Sequence, residues 1–102
     1  MPLLPDDLRS RLPPFFSQED ADPVVYARFH LPGTNRAWYM IEGQPEDDDY
    51  VFFGFTAGRD AKFGHFRLSE LEAVRGLFGE CVERDLTFTE GRLTDVVPAP
   101  ES

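Results

Sequence analysis

Four successive segments between residues 24 and 68 place apolar side chains at every second position, and short stretches rich in Gly, Pro, Asn and Asp separate them. A period of two sends alternate side chains to opposite faces of an extended chain, so the pattern predicts strands with at least one buried face. In the first, Val24 to Leu31, one parity is Val25, Ala27, Phe29 and Leu31, and the other mixes Val24, Tyr26, Arg28 and His30. The second, Arg36 to Glu42, sets Ala37, Tyr39 and Ile41 against Trp38 and Met40. The third, Tyr50 to Ala57, is apolar on both parities, which predicts a central place in the sheet. The fourth is Lys62 to Leu68. Pro32-Gly33-Thr34-Asn35 and Gly58-Arg59-Asp60 read as turns and Gly43 to Asp49 as a loop. Connections this short leave no room for crossover helices, so an antiparallel meander is expected.

Helical spacing appears on both sides of these strands. Ser69-Glu70-Leu71-Glu72 has the form of a capping box, in which the serine hydroxyl and the Glu72 side chain satisfy each other's backbone N–H groups. Leu68, Leu71, Val74, Leu77 and Phe78 then recur on one helical face, and Gly76 and Gly79 offer terminators. Near the start, Pro5 to Leu12 predicts a short helix with Leu4, Leu8 and Leu12 on one side. Pro13-Pro14 stops it, and Phe15 and Phe16 are expected to pin the segment to the body. Arg84 to Thr89 is a candidate fifth strand with Leu86 and Phe88 inward, and Leu93 to Val97 one more helical turn or short strand. The expected fold is α+β: an antiparallel four- to five-stranded meander sheet, one main helix at about 69–78 packed on one face, and a short N-terminal helix. Residues 1–97 are expected to form a single domain and 98–102 a flexible tail.

Composition supports a folded core. Of 102 residues, 41% are hydrophobic and 14% aromatic, including ten phenylalanines, a content that disordered chains lack. Nineteen acids against ten bases give a net charge of −9, which repels phosphate backbones and anionic membranes. A partner protein with a basic surface fits the sign; the plainer role of the charge is to keep the domain soluble. Cys81 is the only cysteine, so neither an intrachain disulfide nor a thiolate metal cluster is available, and packing as a small apolar group near the helix end is expected. No stretch approaches the roughly 20 apolar residues of a membrane span. The N-terminus lacks the basic and apolar regions of a signal peptide. A cytoplasmic protein is expected.

The conspicuous candidate site is the acidic run Glu46-Asp47-Asp48-Asp49, with Glu19, Asp20 and Asp22 as further carriers of an acidic partner-binding surface. It lacks the alternating ligands and central glycine of a calcium loop, and a charge run in a loop is commonly just solvated. A second candidate is a sheet face bearing Tyr26, Arg28, His30, Trp38, Phe52, His65 and Arg67, together with Met40, Tyr50 and Phe63. Aromatics interleaved with arginine suit a stacking ligand. Alternatively the N-terminal segment, with Leu8, Leu12, Phe15 and Phe16, covers this face as a second small core. His30 and His65 share the expected face but have no fixed carboxylate to complete a metal site. Glu42 with one of Asp47 to Asp49 makes a nominal carboxylate pair of unknown separation. There is no glycine-rich phosphate loop, nucleophile elbow or His-Glu-x-x-His pair, so no catalytic residue, cofactor or metal is assigned.

Several ordered phrases carry a resemblance. Leu4-Pro5 to Leu12-Pro13, Asp22-Pro23-Val24-Val25-Tyr26, Trp38-Tyr39 through Glu42-Gly43, Phe52-Phe53-Gly54-Phe55, Phe66 to Leu71 and Glu83-Arg84-Asp85-Leu86 together resemble a bacterial family of domains of unknown function, number 2958 in that series. The likeness runs from Leu3 to Phe88 and consists of structural phrases, so no residue inherits a role. Relatives of this kind are often carried on plasmids, phages and other mobile elements. The resemblance therefore implies element maintenance or the countering of host defence. The expected function is a non-catalytic acidic binding protein that occupies a basic, nucleic-acid-binding surface of a partner, itself monomeric or weakly dimeric. The alternatives are a small ligand-binding domain or enzyme using the aromatic face, and a structural or oligomerisation module.

Overall fold

The computed structural model describes residues 3–18, 22–58 and 61–97. Helix α1 (Asp6–Arg11) is followed by β1 (Val24–Val25), β2 (Ala27–His30), β3 (Ala37–Glu46), β4 (Asp49–Ala57) and β5 (Lys62–Arg67). Then come α2 (Leu68–Ala73), β6 (Glu83–Arg84), β7 (Gly91–Arg92) and α3 (Leu93–Val96). Five strands form one antiparallel sheet in the order β5-β4-β3-β2-β6, and β1 pairs with β7 beside it. The expected α+β meander is thus present, with the fifth strand returning to the β2 edge.

The first strand is interrupted where the sequence showed one unbroken alternation. Between Met40 and Glu42 the register of β3 against β4 steps by one, leaving Ile41 as an extra residue. Such a bulge bends its strand and strengthens the local twist. Opposite it, Tyr26 leaves the ladder while its N–H still reaches the Met40 carbonyl at 2.9 Å. Val25, Ala27, Phe29 and Leu31 are all buried, yet they serve two cores. Ala27, Phe29 and Leu31 join Leu8, Leu12, Leu71, Trp38, Met40, Tyr50 and Phe52 under the helices. Val25 joins Ala37, Tyr39, Ile41 and Leu93 on the other side.

Both sheet faces are therefore covered, which is how a small domain buries a two-sided sheet. Helices α1 and α2 lie on the same face, where Phe29 meets Phe52 edge-on with ring centroids 5.7 Å apart. The opposite face is closed chiefly by the C-terminal segment through Phe88, Leu93, Val96 and Val97, and from the N-terminal segment Phe15 reaches only its β5 edge, against His65. Phe88 packs against Tyr39 at 6.3 Å.

Several boundaries differ from expectation. Helix α1 ends before Pro13-Pro14 as the prolines require, with Pro5 just outside its first turn. The main helix stops at Ala73, not Phe78. Val74 is extended, Arg75 bridges Cys81, and Gly76 and Gly79 close a tight hairpin that leaves Leu77 and Phe78 in solvent. Cys81 is exposed and free rather than packed. The strand expected at 84–89 shrinks to Glu83–Arg84, Leu86 is exposed, and Leu93–Val96 is helical. The expected loop from Gly43 to Asp49 is instead continuous hairpin, since β3 runs to Glu46 and β4 begins at Asp49. The tail 98–102 lies outside the described residues.

The link from α1 to β1 is held by polar groups more than by its two phenylalanines. Beyond Met40, β3 has no β2 partner, and the Pro13 carbonyl accepts the Gly43 N–H at 2.9 Å. The buried Glu42 carboxylate accepts the Phe16 N–H at 3.1 Å and the Gln18 N–H at 2.7 Å. The Gln18 amide bridges Val24 and Ile41, donating to both carbonyls and accepting the Val24 N–H. Phe15 does pack, edge-on to His65 at 5.2 Å. Phe16 does not; it has φ 65 and is exposed.

Candidate functional site

The acidic run is a two-residue hairpin turn. Glu46 pairs with Asp49, and Asp47 and Asp48 form the tip, with Asp47 at φ 54. Two-residue hairpins demand left-handed backbone, and aspartate tolerates it because its short polar side chain bonds locally. The four carboxylates do different work. Glu46 Oε1 accepts from Arg67 Nη2 at 2.7 Å. Asp49 Oδ2 accepts the Ser69 hydroxyl at 2.6 Å, and Oδ1 accepts the N–H groups of Ser69 at 3.2 Å and Tyr50 at 2.8 Å. Asp47 and Asp48 are exposed.

Electrostatics follow this geometry. The Ser69 hydroxyl, then the Tyr50 N–H, hold the Asp49 carboxyl below its ordinary value. The bond to Glu46 raises Arg67 above its own. Helix α2 begins one residue earlier than the sequence suggested, with Arg67 at its N-cap and no capping side chain there. The expected capping box is replaced by Asp49, which reaches the first turn from the neighbouring strand. Beside this corner is an open cleft of about 510 Å³ lined by Arg9, Asp48, Tyr50, Arg67, Ser69 and Glu72. Arg9 lies 5.3 Å from the centre of the Tyr50 ring, and burial raises the Tyr50 hydroxyl. The wall mixes both signs of charge.

Of the other expected acidic carriers, Asp22 does not add to this tip. Asp22 accepts the N–H and hydroxyl of Thr94, both at 2.8 Å, at the start of α3. Those bonds, the backbone one first, hold its carboxyl low. Asp22 is thus structural. Glu19 and Asp20 lie outside the described residues. Glu42 is buried and occupied by backbone N–H groups, so it forms no carboxylate pair with the hairpin tip.

The expected aromatic face is not one face. Phe29 pairs with Trp38 and Arg28 with Tyr39, so the even residues of β3 share a side with the odd residues of β2. Parity within a strand does not reveal this offset between strands. Trp38, Met40, Tyr50 and Phe52 are buried under the helices, with Tyr26 packed at that core's margin. Arg28, His30 and His65 lie on the opposite side. Arg28 is bound by Asp85 Oδ2 at 3.1 Å and the Tyr39 hydroxyl at 3.3 Å. Arg67 belongs to the acidic hairpin. His30 on β2 and His65 on β5 are three strand spacings apart, about 14 Å across the sheet. No group of three His, Cys, Asp or Glu suited to a metal occurs among the described residues.

Sequence reasoning missed two features. Glu42 clamps the N-terminal link; a lone acid inside an apolar strand was its signal. The exposed pair Leu77-Phe78 was hidden because its spacing continues the helical pattern of α2. Among the described residues no helix is long and apolar enough to cross a membrane. No curated protein and no solved structure matches the chain. A family model does, over residues 3–98, and it is described as a protein of unknown function, DUF2958. The chain belongs to that family.

Proposed function

We propose that this protein is a non-catalytic acidic binding protein whose β3–β4 hairpin tip engages a basic surface on a partner protein. The observation that carries the reading is the exposure of Asp47 and Asp48 at a turn fixed from both sides by Arg67–Glu46 and Asp49–Ser69. A tip already ordered loses little entropy on binding. The net charge of −9 adds long-range attraction towards a basic groove and repulsion from nucleic acid itself. A groove that normally holds DNA or RNA is the natural target, and the family resemblance, taken with the acidic charge, suggests an accessory role on a mobile element, including inhibition of a host defence protein. The cytoplasm is the compartment where such a target resides.

The test compares the wild-type chain with Asp47→Lys/Asp48→Lys as bait in host lysate. The expected partner is retained by wild type alone, elutes as salt rises, and is displaced by duplex DNA or RNA. A partner that binds both baits equally, or that nucleic acid does not displace, overturns the proposal.

A further inference from the structure

The hairpin after α2 presents the most exposed large apolar side chains among the described residues, with Leu77 91% and Phe78 88% accessible. Its base is anchored: Leu71 and Val82 are buried, and Val74 packs against the same core. Its tip is closed by the Gly76 N–H on the Glu80 carbonyl at 2.8 Å and the Gly79 N–H on the Gly76 carbonyl at 3.1 Å. Gly79 has φ 84, a left-handed conformation that suits glycine. Arg75 Nη1 donates to the carbonyls of Glu72 and Val74 at 2.7 and 2.8 Å, which fixes the guanidinium against the end of the helix. Two large apolar groups are thus held outward on ordered backbone.

The charges around them have a pattern of their own. Residues 75 to 80 read Arg-Gly-Leu-Phe-Gly-Glu. Laid antiparallel to itself, this segment sets cation on carboxylate, glycine on glycine and apolar on apolar. The Glu80 carboxylate folds across Gly76, where a methyl group would collide with it, and so lies at the tip. An isologous contact requires one patch to complement itself about a two-fold axis. In sequence order an axis between Leu77 and Phe78 meets this requirement, and it would bring the Arg75 of each copy, whose Nη1 stays on its own carbonyls, towards the Glu80 of the other.

We propose that this hairpin is a self-association surface, occupied by the same hairpin of a second copy. The contact is far smaller than a standard interface, so the dimer is weak and exchanges rapidly. A charge of −9 on each copy opposes association at long range. Salt screens that repulsion more than it screens close pairs across the contact. Dimerisation therefore strengthens from low to physiological salt, opposite to the salt dependence of capture through Asp47 and Asp48.

Sedimentation velocity on the full chain, under reducing conditions and from about 10 µM to 1 mM, tests this. The average sedimentation coefficient is expected to rise towards the dimer value, and more so at physiological salt. Leu77→Ser/Phe78→Ser and Arg75→Glu are each expected to abolish the rise, and Arg75→Glu with Glu80→Arg to restore it. Melting curves confirm that each variant is folded, and Glu80→Arg alone, which leaves the Arg75 bonds intact, provides a second single-charge test. A strict monomer throughout, a dimer that survives loss of both apolar side chains, or a charge swap that restores nothing overturns the proposal.

Discussion

The Asp49 carboxylate grips Ser69 through both oxygens, accepting its hydroxyl at 2.6 Å and its backbone N–H at 3.2 Å. One side chain thereby ties the base of the acidic hairpin to the first turn of α2 and satisfies an N–H that the helix cannot. Asp49→Ala is expected to lower the melting temperature and to leave the Asp47-Asp48 tip less ordered. The pH dependence has a definite sign. The folded carboxyl is held low, chiefly by the Ser69 hydroxyl, whereas an unfolded aspartate titrates near about 3.9. Its stabilisation is complete above that value and is lost as pH falls through the folded one. Thermal melts should show wild type above Asp49→Ala at neutral pH, with the gap narrowing as pH falls below the unfolded value. A gap that persists in acid would mean the carboxylate charge is not what holds the helix.

Leu8 and Leu77 test which apolar residues build the core. Leu8 is fully buried with Leu12 and Leu71, while Leu77 is 91% exposed. Leu8→Ala is expected to cost about 2–5 kcal/mol, transfer and cavity terms together. Leu77→Ser should stay within about 0.5 kcal/mol. Urea titration reads both, as a large fall in midpoint for the first and none for the second, at unchanged slope. The reverse ranking would place the helix over residues 69–78 after all.

This contrast bears on what the residues disclosed in advance. Alternation in Val25, Ala27, Phe29 and Leu31 was enough to bury all four, because a strand has only two sides. It did not say which side of β3 Phe29 would meet, since the register comes from hairpin geometry and the bulge at Ile41. The supposed aromatic face dissolved for that reason. Leu77 and Phe78 have the right spacing for α2, but propensity yields to the local bonds that Gly76 and Gly79 permit. In the acidic run, four identical signs became one ion pair, one helix cap and two exposed tips. Charge alone cannot separate these roles, because they depend on Arg67 and Ser69 arriving from another strand and helix.

Gly54 is required by the neighbouring backbone. It pairs with Met40 beside the bulge, and a Cβ there would run into the Tyr39 carbonyl oxygen. That obstacle is main chain in the middle of the sheet and cannot swing aside. At Gly64, one strand over, the nearest atom to a Cβ is Phe66 Cζ at 3.4 Å, on a side chain that can adjust. Gly54→Ala is therefore expected to prevent folding or to cost more than about 3 kcal/mol, a size reserved for such mechanisms. Gly64→Ala should be tolerated. Circular dichroism melts of the two variants side by side decide the matter, and a stable Gly54→Ala protein would refute the close approach of β3 and β4.

Glu42 offers the sharpest local test. It is 4% exposed, and its two oxygens hold the N–H groups of Phe16 and Gln18, residues that otherwise have little packing to keep them in place. Bonds to a charged acceptor contribute about 1.5–3 kcal/mol each, but both donors are near the surface and can turn to water once released. A total cost of roughly 1–3 kcal/mol is expected for Glu42→Ala, and less for Glu42→Gln, which keeps one acceptor. The loss should be local. Amide hydrogen exchange at Phe16 and Gln18 is expected to accelerate by more than tenfold in Glu42→Ala, while amides of β4 accelerate only as far as global stability falls. Gln18, freed from its anchor, would also release Val24 and loosen β1. Equal exchange rates at Phe16 and Gln18 in wild type and variant would show that Pro13, through Gly43, holds the link without the carboxylate.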